Sequence, residues 1–251
     1  MVKSWDLRYE PDGVNMAYTE SGGPGRSDFV LVHGIGMGRV TFGGVAETLS
    51  GVGRSFALDL PGFGDSPQHA SADSLVENAE LVARFIEDRA TGPVTLVGHS
   101  MGTQIVAELA MRRPELVSGL VLIAPTINRR ERTALQQALR MVQDLWGEGA
   151  RVLLLGMYEY LKTSPFWFVG RLRRMLRHRI ELVLPLIPVP TLVLRGEDDR
   201  VAPRDWGREV ASLLPNGELR EIPGRGHEAI IQSAEPVASL ILEFAGAVRT
   251  R

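Results

Sequence analysis

The stretch Gly98-His99-Ser100-Met101-Gly102 holds a serine between an apolar, β-branched run, Val94–Val97, and a helix-spaced run, Thr103–Ala110. A serine pinned on a strand-to-helix turn takes a strained backbone that pushes its hydroxyl into the open. Glycine on either side lets strand and helix pass closely. Alone, Gly-x-Ser-x-Gly is a weak pattern; its flanks give it weight. A serine hydroxyl becomes a nucleophile only when a base takes its proton, and the chain offers five histidines. His99 adjoins Ser100, so its side chain turns away. His33 ends a strand before glycine and reads as a turn brace, His69 lies in a polar loop, and His178 lies in an arginine-rich helical segment. His227, on the turn Pro223-Gly224-Arg225-Gly226, is placed to reach over a sheet toward Ser100. Its imidazole needs a carboxylate to fix the tautomer and stabilise the charged form. Glu197-Asp198-Asp199-Arg200 offers Asp199, with Asp198 as its rival, although by itself this run reads as a solvated turn with an ion pair. An oxyanion needs two backbone N–H donors. Met101, just past the serine, gives one; the His33-Gly34-Ile35-Gly36 turn gives the other, from Ile35 or Gly36. The chemistry implied is acyl transfer.

These residues must be held by something. Short strands are predicted at 5–9 and 14–19, around Pro11-Asp12-Gly13. Continuous apolar runs at Phe29–Val32, Ser55–Leu58, Val94–Val97, Leu120–Ala124 and Thr191–Leu194, and a strand near Leu219–Ile222, read as strands of a mostly parallel sheet. Helical spacing falls between them, at Phe42–Leu49, after Ser74 (with Glu77 at capping-box spacing), after Ser100, up to Leu214, and at Pro236–Val248. Strands alternating with helices imply an α/β fold, a sheet with helices on both faces. Sites in such folds form at the carboxyl ends of strands. His33-Gly34, Asp59-Leu60-Pro61, Ser100, Asp199 and His227 all fall at such ends.

From 127 to 187 the pattern becomes helical. Leu135, Leu139, Val142, Leu145 and Trp146 stripe a first helix; Val152–Leu161 forms a second. Ser164 and Pro165 open a third, striped by Phe168, Leu172, Met175, Leu176, Ile180 and Val183. This segment holds ten arginines and Lys162 against Glu131, Asp144, Glu148, Glu159 and Glu181, a net +6, which leaves −8 on the remainder of a chain of net charge −2. The arginines read as a solvated helix face or as an attractor of anionic substrates or an acidic surface.

Composition bounds the rest. At 251 residues, 44% apolar and 23% charged, the chain suits one α/β domain with an insertion. Having no cysteine excludes disulfides, thiolate metal sites and a cysteine nucleophile. A net charge of −2 gives no reason to expect a nucleic-acid partner. No apolar run approaches a membrane span, and Met1–Arg8 carries charges where a signal peptide needs an apolar core. A cytoplasmic location without stable membrane insertion is the expectation.

Five stretches in order resemble the α/β-hydrolase fold superfamily: His33-Gly34-Ile35-Gly36, Asp59-Leu60-Pro61-Gly62-Phe63-Gly64-Asp65-Ser66, Gly98–Gly102, Gly196-Glu197-Asp198-Asp199-Arg200-Val201-Ala202-Pro203, and Gly224-Arg225-Gly226-His227. The resemblance implies Asp199 rather than Asp198 as the triad acid and Ile35 as the second oxyanion donor. It also implies a core of 1–126 and 188–251 with an inserted helical lid at 127–187. Related dehalogenases and epoxide hydrolases carry aspartate where Ser100 stands. C–C hydrolases of this fold usually carry tryptophan where Glu228 stands and an asparagine-rich stretch near Thr41-Phe42-Gly43-Gly44. Prolyl aminopeptidases tend to carry tryptophan where Met101 stands. The expected activity is therefore hydrolysis of small-molecule carboxylic esters, anionic ones if the arginines act on substrate, through Ser100, His227 and Asp199. No metal or organic cofactor is needed. Rival readings are thioester, lactone or C–C cleavage on the same triad, or a low-turnover ligand-binding receptor. Trp146, Tyr158, Phe166 and Trp167 are candidates to line a substrate pocket under the lid.

Overall fold

The apolar runs Phe29–Val32 and Ser55–Leu58, buried along their whole length, become neighbouring parallel strands. Strands covered on both faces have no reason to alternate polar with apolar residues. The computed structural model, which describes residues 4–25, 27–145 and 150–250, arranges eight strands in one sheet: β1 (Ser4–Tyr9), β2 (Met16–Ser21), β3 (Phe29–Val32), β4 (Ser55–Leu58), β5 (Val94–His99), β6 (Val117–Ile123), β7 (Thr191–Gly196) and β8 (Gly217–Ile222). Their order across the sheet is β1-β2-β4-β3-β5-β6-β7-β8. Among the described residues β1 with β2 and β2 with β4 pair antiparallel, and the other neighbours pair parallel. β2 lies two residues later than expected from the sequence. The Val14 N–H turns back to Pro11 O, which delays the strand, and Ser21 is still paired opposite Ser55 at its far end.

Helices cover both faces. On one, α1 (Gly43–Leu49) packs against α10 (Ala234–Arg249); on the other, α2 (Leu75–Arg89) packs against α3 (Met101–Arg112). Register separates the two faces. Gly119 pairs with Thr95 and faces Phe244 and Val248 of α10, whereas Gly98, an odd number of residues along the strand, faces Val106 of α3. The capping box at α2 forms as expected: Ser74 Oγ accepts the Glu77 N–H at 3.1 Å and Glu77 Oε2 accepts the Ser74 N–H at 2.6 Å. α8 (Arg204–Leu213) buries Trp206, whose indole N–H donates to Pro125 O at 2.8 Å. The short α9 (Ala229–Gln232) precedes α10, so the last helical region starts earlier than its sequence stripe.

Between β6 and β7 lie α4 (Ala134–Leu145), α5 (Ala150–Lys162), α6 (Pro165–Arg177) and α7 (Ile180–Val183). The third stripe expected here is two helices, not one. It breaks at His178 and Arg179, where His178 Nε2 meets the Glu108 carboxylate of α3 at 2.8 Å and anchors the chain before it resumes. The stripe on α4 also behaves unexpectedly. Leu135, Leu139 and Val142 face outward, Leu135 at 70% exposure, while Gln137 and Asp144 are buried. The buried polar groups have partners that outrank the apolar stripe: Gln137 Nε2 donates to Glu131 O at 2.6 Å, and Asp144 reaches across the molecule. No described helix is long and apolar enough to cross a membrane.

Candidate active site

Ser100 ends the β5 turn at φ 51° and ψ −117°, a conformation that side-chain-bearing residues rarely hold. Its N–H is tied to Ile123 O of β6 at 3.0 Å, and its carbonyl accepts the Thr103 N–H at 3.0 Å and the Thr103 hydroxyl at 2.6 Å. A Cβ on Gly102 would strike the Val32 carbonyl, so α3 begins hard against β3. Ser100 therefore heads α3, where free N–H groups and the positive end of the helix dipole favour a developing negative charge. Met101 is the first residue of that helix.

His227 lies on the loop after β8, buried with Ser100. Its Nε2 stands 3.1 Å from Ser100 Oγ, and its Nδ1 stands 3.1 Å and 3.2 Å from the two carboxylate oxygens of Asp199. Asp199 is held in turn, since its Oδ1 accepts the Val201 N–H at 2.9 Å and the Ala202 N–H at 2.8 Å. Asp198, the rival acid, is exposed. This geometry puts the Nδ1 proton toward Asp199 and leaves Nε2 to accept from Ser100. Burial alone would push the His227 pKa down; the charge and hydrogen bond of Asp199, aided by Glu228 and Asp144, outweigh it and push it up. Burial also raises the Asp199 carboxyl, but His227 and the loop N–H groups hold it below the usual range.

The turn after β3 reaches the same place. A Cβ on Gly34 would come 3.0 Å from Ser100 Cβ, so the Gly34–Ile35 peptide lies beside the serine. His33 braces this turn: its Nε2 accepts the Leu60 N–H at 3.0 Å, which puts its proton on Nδ1, 2.7 Å from Gly34 O. Asp59 holds the far end, accepting the Arg39 N–H at 2.5 Å and the Asp65 N–H at 2.8 Å and pairing with the Arg39 guanidinium.

Two residues that sequence reasoning did not assign hold the His227 backbone. His99 Nε2 lies 3.1 Å from His227 O, and burial, with the charge of His227, lowers the His99 pKa to about 3. A neutral His99 with its proton on Nε2 thus donates to that carbonyl. On the other side of the same residue, the His227 N–H donates to Asp144 Oδ2 at 2.8 Å, from α4. Neither placement had a signal in the sequence, since each depends on which backbone group the side chain reaches in space.

The aromatic candidates separate. Trp167 is half-buried and its indole N–H donates to Pro61 O at 3.1 Å, beside the buried Arg171 guanidinium 4.5 Å from its ring. Tyr158 and Phe166 are not turned inward as expected. The inward face of α6 is taken by Trp167, Arg171 and Met175, which leaves Phe166 91% exposed, and among the described side chains of α5 Glu159 is buried, with Tyr158 outside under Lys162 Nζ at 4.4 Å. Trp146 lies outside the described residues. Most arginines of 127–187 are also committed: Arg129 and Arg130 to Glu209, Arg132 and Arg179 to Glu181, Arg140 to Glu131, Arg174 to Asp73, and Arg171 to the Ala72 and Asp73 carbonyls.

Among titratable groups, His99, His227 and Glu228 bring potential ligand atoms within 4.8 Å of one another. His227 is engaged with Ser100 and Asp199, and His99 Nε2 with a carbonyl, so this grouping fits a proton-transfer site better than a metal site.

The family model described as the alpha/beta hydrolase family matches residues 29–240. The chain is 29% identical over 263 aligned positions to the uncharacterized hydrolase YugF of Bacillus subtilis, covering 94% of this chain and 96% of that one. It is 26% identical to the pimeloyl-[acyl-carrier protein] methyl ester esterase of Nitrosomonas europaea, covering 88% of this chain and 95% of the relative. Among solved structures, a bacterial membrane phospholipase A superposes with a TM-score of 0.83 at 26% identity, over 99% of this chain and 87% of its own.

Proposed function

The chain belongs to the alpha/beta hydrolase family, and from that premise we propose that it is a serine hydrolase that cleaves carboxylic esters of small molecules. The observation that carries the reading is the run Asp199–His227–Ser100, with Nε2 3.1 Å from Oγ at the head of α3. His227 Nε2 takes the Ser100 proton as Oγ attacks the ester carbonyl. The Met101 and Ile35 N–H groups hold the oxyanion; losing one such donor would raise the barrier by about 3–4 kcal/mol. His227 returns the proton to the leaving alcohol, which departs as the acyl-enzyme forms. Water, deprotonated by His227, then attacks the acyl group and frees Ser100 and the acid.

In this reading 127–187 is the cap over a core of 1–126 and 188–251. Trp167, beside the turn at Pro61, is the described aromatic best placed to border the substrate. A named esterase among the relatives supports the choice of bond. The test is turnover of p-nitrophenyl acetate beside a matched thioester, a lactone and a vinylogous diketone for C–C cleavage. The proposal expects the ester to have the largest kcat/KM, with an acyl-enzyme burst. Ester turnover at the Ser100→Ala background, with one of the other bonds cleaved well, would reassign the bond.

A further inference from the structure

We propose that Asp144 is a positioning residue that ties α4 to both the acid and the base of the candidate triad, so that the base is correctly set only while α4 is docked. The inference rests on the serine-hydrolase reading above and deepens it. Both oxygens of one carboxylate are used. Oδ1 accepts the N–H of Arg200, the residue after Asp199, at 2.9 Å, and Oδ2 accepts the N–H of His227 at 2.8 Å. Those two residues stand on the loops after β7 and β8, and Asp144 stands on α4, between β6 and β7. It is buried. A buried carboxylate is stabilised by the two amides it reaches.

The consequence is a clamp. With His99 Nε2 donating to the His227 carbonyl and Asp144 accepting its N–H, the peptide groups on both sides of the imidazole are fixed. Asp199 and His227 move together because one carboxylate holds both loops. Asp144 also adds negative charge near the imidazole. The groups facing His227 are Ser100 and His99 from the β5 turn, Asp199 from the β7 loop, Glu228 beside it in sequence and Asp144 from α4. Of these, Asp144 alone belongs to the helices between β6 and β7. Undocking of α4 would remove a negative charge and a hydrogen bond from the base at one stroke.

The experiment compares wild type, Asp144→Asn and Asp144→Ala in p-nitrophenyl acetate hydrolysis across pH, with amide exchange measured at Arg200 and His227. Asn keeps the shape and one acceptor, so it stays informative if the Ala variant fails to fold. For Asp144→Asn the expected results are a kcat lower by about tenfold with KM little changed, and an acidic limb of kcat/KM moved down by about half a pH unit. Exchange at the two amides should rise by about tenfold, with Asp144→Ala more severe in each respect. A folded Asp144→Asn with a wild-type pH profile and wild-type exchange at Arg200 and His227 would overturn the inference while leaving the hydrolase reading intact. Wild type that neither turns over the ester nor reacts with a fluorophosphonate would overturn both.

Discussion

At the scale of single residues, two carboxylates sit side by side in sequence and only one faces the imidazole. Asp199 is buried between His227 Nδ1 and the loop N–H groups, while Asp198 is exposed. Asp199→Asn is expected to lower kcat by about a thousandfold or more by allowing the wrong tautomer, and Asp198→Asn to change it less than twofold; steady-state kinetics of the pair decide the assignment. Because Asp199 holds the imidazolium against the opposing effect of burial, kcat/KM should rise with pH through an apparent pKa above the free imidazole value of about 6.5. In Asp199→Asn that limb should move down. Glu228 has a separate signature. Burial, opposed by the charge of His227, pushes its carboxyl up to about 7. In the unfolded chain it ionises near 4.3, so between those values the native state holds a proton the unfolded state has lost. The stability this contributes is present at low pH and disappears as pH rises through 7. Glu228→Gln should therefore gain stability relative to wild type by about 3 kcal/mol between pH 4 and pH 8, read by denaturant melts at both. The turns that carry Ser100 and His227 were legible in the sequence because glycines mark each of them. The two holders of the His227 backbone were not. Their role depends on which amide a side chain reaches in space, and nothing in the spacing of Asp144 or His99 reports that.

At the scale of elements, the close contact of α3 with β3 explains why Gly102 has no side chain. Gly102→Ala would put a Cβ against the Val32 carbonyl, backbone that has no room to yield. The expected cost is about 3 kcal/mol of stability, checked by thermal and denaturant melts. By contrast Leu139→Gln, on the outward face of α4, should change stability by less than about 0.5 kcal/mol. Strands β3 and β4 were legible to the residue, and β5 and β7 at their first residue, because they are runs buried along their whole length; β2 and β6 start two and three residues away from where the sequence put them. The helices between β6 and β7 were legible as helices but not in orientation. Periodicity shows that α4 has an apolar stripe; it does not show that Gln137 and Asp144 on the opposite side find buried partners and turn the stripe outward. The same limit misplaced Tyr158 and Phe166, whose helices present Glu159, Trp167 and Arg171 inward instead.

At the scale of the whole molecule, charge is divided between two parts of the chain, +6 on 127–187 and −8 on the remainder. Much of that difference is used in holding the parts together, through Arg174 with Asp73, Lys162 with Asp65, and Arg129 and Arg130 with Glu209. Arginines already paired with carboxylates project little field toward a substrate. The salt dependence of kcat/KM should then be nearly the same for an ester carrying a carboxylate and for its neutral counterpart. A markedly steeper fall for the anionic ester would restore the arginines as a substrate attractor.

The central claim is that Ser100 is a nucleophile made reactive by His227, and covalent labelling tests it most directly. Wild type is treated with a fluorophosphonate, and the modified peptide is located by mass spectrometry. The account expects one adduct, on Ser100, formed with loss of fluoride, absent in Ser100→Ala and slowed more than a hundredfold in His227→Gln. An adduct that persists in Ser100→Ala, or wild type that stays unmodified while correctly folded, would contradict it.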